Sequence, residues 1–386
     1  MGDYWGMNPR TKKHKARESS LRKSTLAQLG ESRVLQLFMP MLDEHNRSVI
    51  QVASAHGQEP VLEVGPGDDC AVLTGDNRRT VITTDTLVHG QDFLDIWPAG
   101  PRSGGYEVGW KATTQNLADI AAMGAEPVSL FVSLSLPPET PYGWVEDFAR
   151  GILDSLHACG ATVCTVGGGD LGSARDASVT ITAVGRCENP VLRSGAQPGD
   201  TVALAGCTGW ADAGLRLLTT TGSLDSIEQL PSTEKERIER AVTHQLRPVS
   251  PIPAGRRAAA YGANAMLDLS DGLVKDARRI AEASGVDIVF NDPAITELAR
   301  ELVPVASLIL EHQPHNDHGD SAVSLARECV LGGGEDHGLL ACFPAGATIP
   351  EGFVALGSCS AQERSASRIL CDGYELQNYG WEHYRA

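Results

Sequence analysis

Five times along the chain an apolar run ends at a turn or polar step that bears a carboxylate: GPGDDC, TTDTL, GGGDL, LDLSDGL and GGGEDH. A sixth acid, Asp119, stands in QNLADIAAMG, three residues after Asn116 and so on the same face of a helix formed there. Taken singly, each has an ordinary explanation. Asp268, Ser270 or Asp271 can cap the helix after them, Asp85 can close a turn, and Asp170 can accept bonds from the glycines before it. Asp119 is different: its neighbours are so small and apolar that the helix is expected to be buried, and a buried carboxylate needs a cation or hydrogen-bond donors. Lysines and arginines near these motifs are too few to neutralise the set. Magnesium is the ion that would, because it takes carboxylate, water and phosphate oxygens together. Hydroxyls at Thr83, Thr84 and Ser270 can orient water or phosphate, and the glycines let backbone N–H groups approach phosphate oxygens. The residues alone point to a metal-dependent enzyme acting on phosphates.

Standard nucleotide signatures are missing. There is no GK[ST] and no protein-kinase HRD or DFG. Gly167, Gly169 and Gly172 fit GxGxxG, but that fingerprint needs a helix directly after it, whereas SARDASVTITAVG reads as a strand.

The acids need elements to position them. LAQLGESRVLQLFMPMLDE has helical periodicity, with Leu35, Leu37, Phe38 and Leu42 available for one face. RRTVITTDTLV reads as a strand, and GGYEVGWKATTQNLADIAAMGAEP as a helix stopping at Gly124 with Pro127 beyond it. SLFVSLSLP, ATVCTVGGGD and ASVTITAVGRC are further strands, with WVEDFARGILDSLHACG an amphipathic helix. VLRSGAQPGD, rich in Gly and Pro, reads as the crossing into a second domain, in which NAMLDLSDGLVKDARRIAEASGVDIVF is strand, turn, helix and strand. The expectation is an α/β (α+β) chain: a leader over 1–30, a first domain over 31–190 and a second over 191–386.

At 386 residues the chain is long enough for two such domains. Lys plus Arg total 32 against 49 Asp plus Glu, a net charge of -17, which argues against a nucleic-acid partner. The basic cluster RTKKHKARESSLRK reads as a flexible leader. No apolar stretch is long enough to span a bilayer, and no secretory pattern is present, so a cytoplasmic protein is expected. Nine cysteines without a CxxC pair disfavour structural zinc and a disulfide framework; Cys164 and Cys342 read as small core hydrophobes. His312, His315 and His318 fall in a Pro- and Gly-containing loop that would not hold a regular ligand face.

In order, GPGDDCAVL, TTDTLV, NLADIAAMGAEP, GGGD, RSGAQPGD, LDLSDGL and GGGEDH resemble the thiamine-monophosphate kinase family, within the aminoimidazole-ribonucleotide-synthetase-like ATP-binding superfamily. The resemblance covers about residues 30 to 384. It implies phosphoryl transfer from ATP to thiamine monophosphate with several magnesium ions, in a homodimer joined through its amino-terminal sheet, with a carboxy-terminal α/β domain covering the site. By the same resemblance, Asp69, Thr83, Thr84, Asp85, Asp119, Asp170, Asp268 and Asp271 match metal-binding positions. Gly169 with Asp170, Arg193 and Ser270 match ATP-contacting positions, and Glu335 and Trp381 match substrate-contacting ones. Where the family often has a substrate-contacting His before Phe, this chain has Asp92 before Phe93. Of the adjacent pair, Asp69 is assigned to metal and Asp68 to bracing the loop. Competing readings within the superfamily are weaker. A selenophosphate synthetase would need a reactive Cys ahead of its first glycine-rich loop, a hydrogenase-maturation protein a terminal Cys, and aminoimidazole ribonucleotide synthetase lacks the NLADIAAMGA and GGEDH style. A catalytically silent nucleotide- or metal-binding subunit would not need all of these acids.

Overall fold

The computed structural model describes residues 18–56, 61–66, 70–225, 227–312, 321–377 and 379–381. Asp68 and Asp69, His315 and His318, and residues 1–17 of the leader lie outside them. Arg22, in the stretch expected to be loose, is docked: it pairs with Glu146 and, at 2.6 Å, with Asp147. Among the described residues no helix is long and apolar enough to cross a membrane.

The chain enters through α1 (Leu26–Leu29) and the long α2 (Glu31–Ala55), then a short pair, β1 (Leu62–Val64) and β2 (Val72–Leu73). A four-stranded sheet follows, built from β3 (Arg79–Val88), β4 (Glu126–Leu136), β5 (Thr165–Ser173) and β6 (Ser178–Cys187) in the order β3-β6-β4-β5. Two helices, α3 (Gly105–Ala122) and α4 (Tyr142–Ala158), pack on each other and cover one face. Helix α3 is the buried helix anticipated from its small apolar residues: Leu117, Ala118, Ile120 and Ala121 are all sealed from solvent. It ends where Gly124 takes φ +68, a left-handed value that glycine adopts without a Cβ penalty.

Asp85 and Asp170 do not close turns. Each lies mid-strand, because the partner strands extend past it: Asp85 pairs with Ile181 and Asp170 with Ser133. Successive residues of a strand point to opposite faces. Thr83 and Asp85 therefore share the helix-covered face with Ile181 and Ala183, both fully buried. Thr84, Thr86, Thr180 and Thr182 occupy the other face, with Thr86, Thr180, Ser133 and Asp170 in one cross-strand row. Ile82 on that second face is 67% exposed.

The rest of the chain forms a seven-stranded sheet in the order β13-β12-β9-β11-β7-β10-β8. Its strands are β7 (Thr201–Ala205), β8 (Ala265–Asp268), β9 (Val286–Phe290), β10 (Leu339–Phe343), β11 (Phe353–Ala361), β12 (Ile369–Cys371) and β13 (Tyr374–Glu375). The accompanying helices are α5 (Trp210–Thr219), α6 (Ser232–Leu246), α7 (Ile252–Ala260), α8 (Leu273–Ser284), α9 (Asp292–Arg300), α10 (Val303–His312) and α11 (Ala322–Gly332). Alternation again sets the faces. Ala203, Ala205, Leu339 and Ala341 join the core of α3 and the first sheet, while Val202, Leu204, Leu340 and Cys342 build a second core with α5, α6 and α8. The two sheets are thus held in register across α3, which also packs against β8.

Candidate active site

A cleft of about 1600 Å³ runs between the two sheets, lined by Asp85, Asp92, Asp119, Asp268, Ser270, Asp271, Glu335, His337 and Trp381 among others. The acids arrive from four places. Asp85 comes from the edge strand β3, and its backbone N–H donates to Asn116 Oδ1 at 3.1 Å, which ties the strand to α3. One turn further along α3, Asp119 accepts from Thr83 Oγ1 at 2.5 Å. Asp268 ends β8, and Ser270 and Asp271 form the turn into α8. None of these three caps α8. Gly272 is its N-cap, and the N–H groups of Asp271 and Gly272 donate to Asp276 Oδ2 at 2.9 and 3.1 Å. Asp271 pairs instead with Arg279 and Lys275.

The GGGEDH loop is fixed against this turn by backbone. Glu335 N–H donates to Ser270 O at 2.8 Å and His337 N–H to Leu269 O at 2.9 Å. The approach leaves no room for side chains: a Cβ on Gly334 would lie 2.5 Å from Ser270 O. Glu335 and His337 take left-handed φ of 65° and 53°, and His337 Nδ1 then stands 3.3 Å from Asp268 Oδ2.

Electrostatically the cleft is crowded with negative charge. Burial, then the neighbouring Asp268, pushes the Asp119 carboxyl up to about 6; the Thr83 hydrogen bond opposes this, Asp85 adds to it and His337 opposes it. Asp85 opens into the cleft, yet the protein walls raise its carboxyl too, with His337 opposing and Asp268 and Asp92 adding like charge. Carboxylate oxygens crowded along one cleft are the hard donors a divalent cation takes, so Asp85, Asp119, Asp268 and Asp271 fit magnesium.

Four other expected site residues are placed elsewhere. Thr84 lies on the far face of the sheet, where its hydroxyl donates to Ile181 O at 3.2 Å. Gly169 and Asp170 are exposed in β5, Asp170 on that same far face, and Arg193 is exposed ahead of β7; none lines the cleft. Asp92 lines the cleft while its Oδ2 accepts from Val88 N–H at 2.7 Å. Trp381, 61% exposed, is anchored through its backbone N–H, which donates to Asp271 O at 3.0 Å.

Two residues that the motifs did not single out complete the floor. Lys111, buried on α3, pairs with Glu335 at 2.7 Å, and Gln245 Nε2 donates to the other Glu335 oxygen at 2.7 Å. Burial raises the Glu335 carboxyl, but Lys111 and the two hydrogen bonds outweigh it and hold the group below its usual range. A lysine inside an otherwise small, buried helical segment was the available signal for Lys111. Gln245 had none, sitting in a polar helix far from every motif.

The fold and this acid cleft define a class. The family model for AIR synthase related protein, N-terminal domain, matches residues 67–187. The chain is 34% identical over 363 residues to the thiamine-monophosphate kinase of Mycobacterium tuberculosis (strain H37Rv), covering 93% of each. It is 31% identical over 319 residues to that of Aquifex aeolicus (strain VF5), covering 82% of this chain and 92% of that one. The solved structure of AaThiL complexed with AMPPCP and TMP superposes with a TM-score of 0.63 at 28% identity, covering 87% of this chain and 96% of that one. The chain belongs to the thiamine-monophosphate kinase family.

Proposed function

We propose that this chain transfers the γ-phosphoryl group of ATP to thiamine monophosphate, giving thiamine diphosphate and ADP. The observation that carries the reading is the gathering of Asp85, Asp119, Asp268 and Asp271 with Ser270, Glu335 and Trp381 around one cleft, in a chain of this family. The AaThiL complex, holding AMPPCP and TMP, supports the same pair of ligands here.

Both reactants are polyanions, so the chief barrier is bringing like charges into line. Asp85, Asp119, Asp268 and Asp271 are assigned to holding magnesium. When bound, that ion neutralises phosphate charge. The acceptor phosphate has a second pKa of about 6, as monoesters do, so it is nucleophilic near neutral pH without a strong general base. The aspartates therefore position and do not abstract protons. Glu335, kept ionised by Lys111 and steadied by Gln245, is assigned to the acceptor together with Trp381 and Asp92. The reading of Asp69, Thr84, Gly169, Asp170 and Arg193 as metal or ATP contacts rests on the resemblance alone.

The chain is proposed to work as two domains, 31–190 and 191–386, with the cleft between them. It is also proposed to be a cytoplasmic homodimer: the uncovered face of the four-stranded sheet, with Ile82, Thr84 and Thr182, supports sheet-to-sheet pairing. Coupled detection of ADP with thiamine monophosphate, ATP and Mg2+ tests the activity. Absence of turnover with a folded protein would sink it.

A further inference from the structure

Outside the cleft, a thiol and a carboxylate meet at one imidazole nitrogen. Cys207 follows β7, His244 stands in the last turn of α6, and Asp336 belongs to the loop after α11. Cys207 Sγ lies 3.3 Å from His244 Nε2, and Asp336 Oδ1 lies 3.2 Å from the same atom. All three ligand atoms fall within 4.8 Å of one another.

A nucleophilic Cys-His-Asp triad would place the acid on the opposite ring nitrogen and leave Nε2 to the thiol. Here thiol and carboxylate both address Nε2, where a single proton cannot serve two partners well. A cation can. Tetrahedral zinc with sulfur, nitrogen and oxygen ligands at about 2.0–2.3 Å sets its donors about 3.4–3.6 Å apart, a few tenths of an ångström beyond the spacings found.

The site is also preorganised. The Asp336 side chain is fully buried and that of His244 is 11% exposed. The Asp336 oxygens accept from Gly209 N–H at 2.6 Å and Ala211 N–H at 3.0 Å, at the start of α5, which fixes the carboxylate while leaving it acceptor capacity.

We propose that Cys207, His244 and Asp336 form a site for one zinc-class divalent cation, separate from the acidic cleft, with water in the fourth position. Thiolate and imidazole prefer zinc, whereas the carboxylates of the cleft suit magnesium, so the two sites sort ions by ligand softness. The site adjoins the cleft through the chain: His244 precedes Gln245, Asp336 follows Glu335, and Gln245 donates to Glu335. A bound cation would therefore clamp the two segments that hold Glu335.

The test uses the full chain in excess Mg2+. Zn2+ is added, free ion is removed by gel filtration, and retained zinc is counted; Co2+ in its place reports thiolate ligation by absorbance. One zinc per chain is expected, with affinity reduced about tenfold or more in Cys207→Ser and His244→Gln and unchanged in Cys70→Ser. The cobalt–thiolate band is expected in the wild type and absent from Cys207→Ser, a near-isosteric change that tests ligation even where His244→Gln unfolds. Failure of the wild type to retain zinc against Mg2+, or retention undiminished by Cys207→Ser, would overturn the assignment.

Discussion

Thr83 Oγ1 donates to Asp119 Oδ2 at 2.5 Å, joining an edge strand to a buried helix at the wall of the acid cleft. The bond favours the ionised carboxylate, against burial and against Asp268 and Asp85, which disfavour it. Asp119→Asn removes a proposed metal ligand and a repulsion together. We expect turnover to fall about 100-fold or more, while the melting temperature of the metal-free protein holds or rises. Thr83→Val should leave a measurable rate and raise the Mg2+ concentration needed for half-maximal activity. ADP release and thermal melts check both; an Asp119→Asn protein with near-wild-type turnover would remove Asp119 from the metal site.

Lys111 is the one cation buried on α3, and its partner Glu335 keeps 35% of its side chain open to the cleft. Breaking a buried pair by removing one partner costs about 3–5 kcal/mol, and the opening of Glu335 discounts that, so Lys111→Met should cost about 2 kcal/mol at pH 7. The pH dependence has a definite sign. The Glu335 carboxyl is held below its usual value of 4.5 in the folded protein. Its contribution is thus present above the unfolded value and lost as pH falls through the lower folded one. The stability gap between wild type and Lys111→Met should narrow on acidification from pH 6 toward 3. Urea titrations across that range measure it; a gap that widens in acid would refute the coupling.

Much of this cleft was legible in the sequence because the acids sit where apolar periodicity breaks. LDLSDGL and GGGEDH both supply residues that line it, and the small residues of the Asp119 helix signal its burial. The placement of Asp170 was not legible. Whether an acid after a glycine run closes a turn or continues a strand depends on how far its partner ladder runs, and β4 carries the pairing beyond Asp170 to Ser173; alternation along that strand then sets its face. Lys111, Gln245 and the Cys207, His244 and Asp336 group escaped for a related reason: each depends on contacts between residues distant in sequence, which no local spacing records.

The uncovered face of the four-stranded sheet gives a prediction about assembly. A sheet face bearing Ile82 at 67% exposure beside Thr84 and Thr182 is apolar enough to pair and polar enough to stay soluble when separated. Ile82→Lys places a charge in the proposed dimer contact while leaving the helix-covered face untouched. Sedimentation should show the wild type as a dimer and Ile82→Lys shifted toward monomer, with circular dichroism unchanged. A wild-type monomer at micromolar concentration would dispose of the sheet-paired dimer.

The crossing of α3 and α4 sets the height at which Lys111, Asn116 and Asp119 stand over the sheet, and glycines set that crossing. A Cβ on Gly151 of α4 would lie 2.1 Å from Tyr106 O, and one on Gly105 of α3 would lie 1.9 Å from Trp144 O. These obstacles are helix backbone, which cannot swing aside as a flexible side chain can, so the helices must separate. Gly151→Ala should therefore cost about 1–3 kcal/mol, as overpacking does, despite alanine's better helix propensity. Because α3 bears Asn116 and Asp119, the same shift should lower turnover in the protein that remains folded, and raise KM for ATP and acceptor less than it lowers kcat. Gly75, with open space where a Cβ would stand, is the control; its alanine variant should stay within about 0.5 kcal/mol of wild type. Chemical denaturation and steady-state kinetics on the two variants decide the matter: a Gly151→Ala protein as stable and as active as Gly75→Ala would show that this crossing does not position the site.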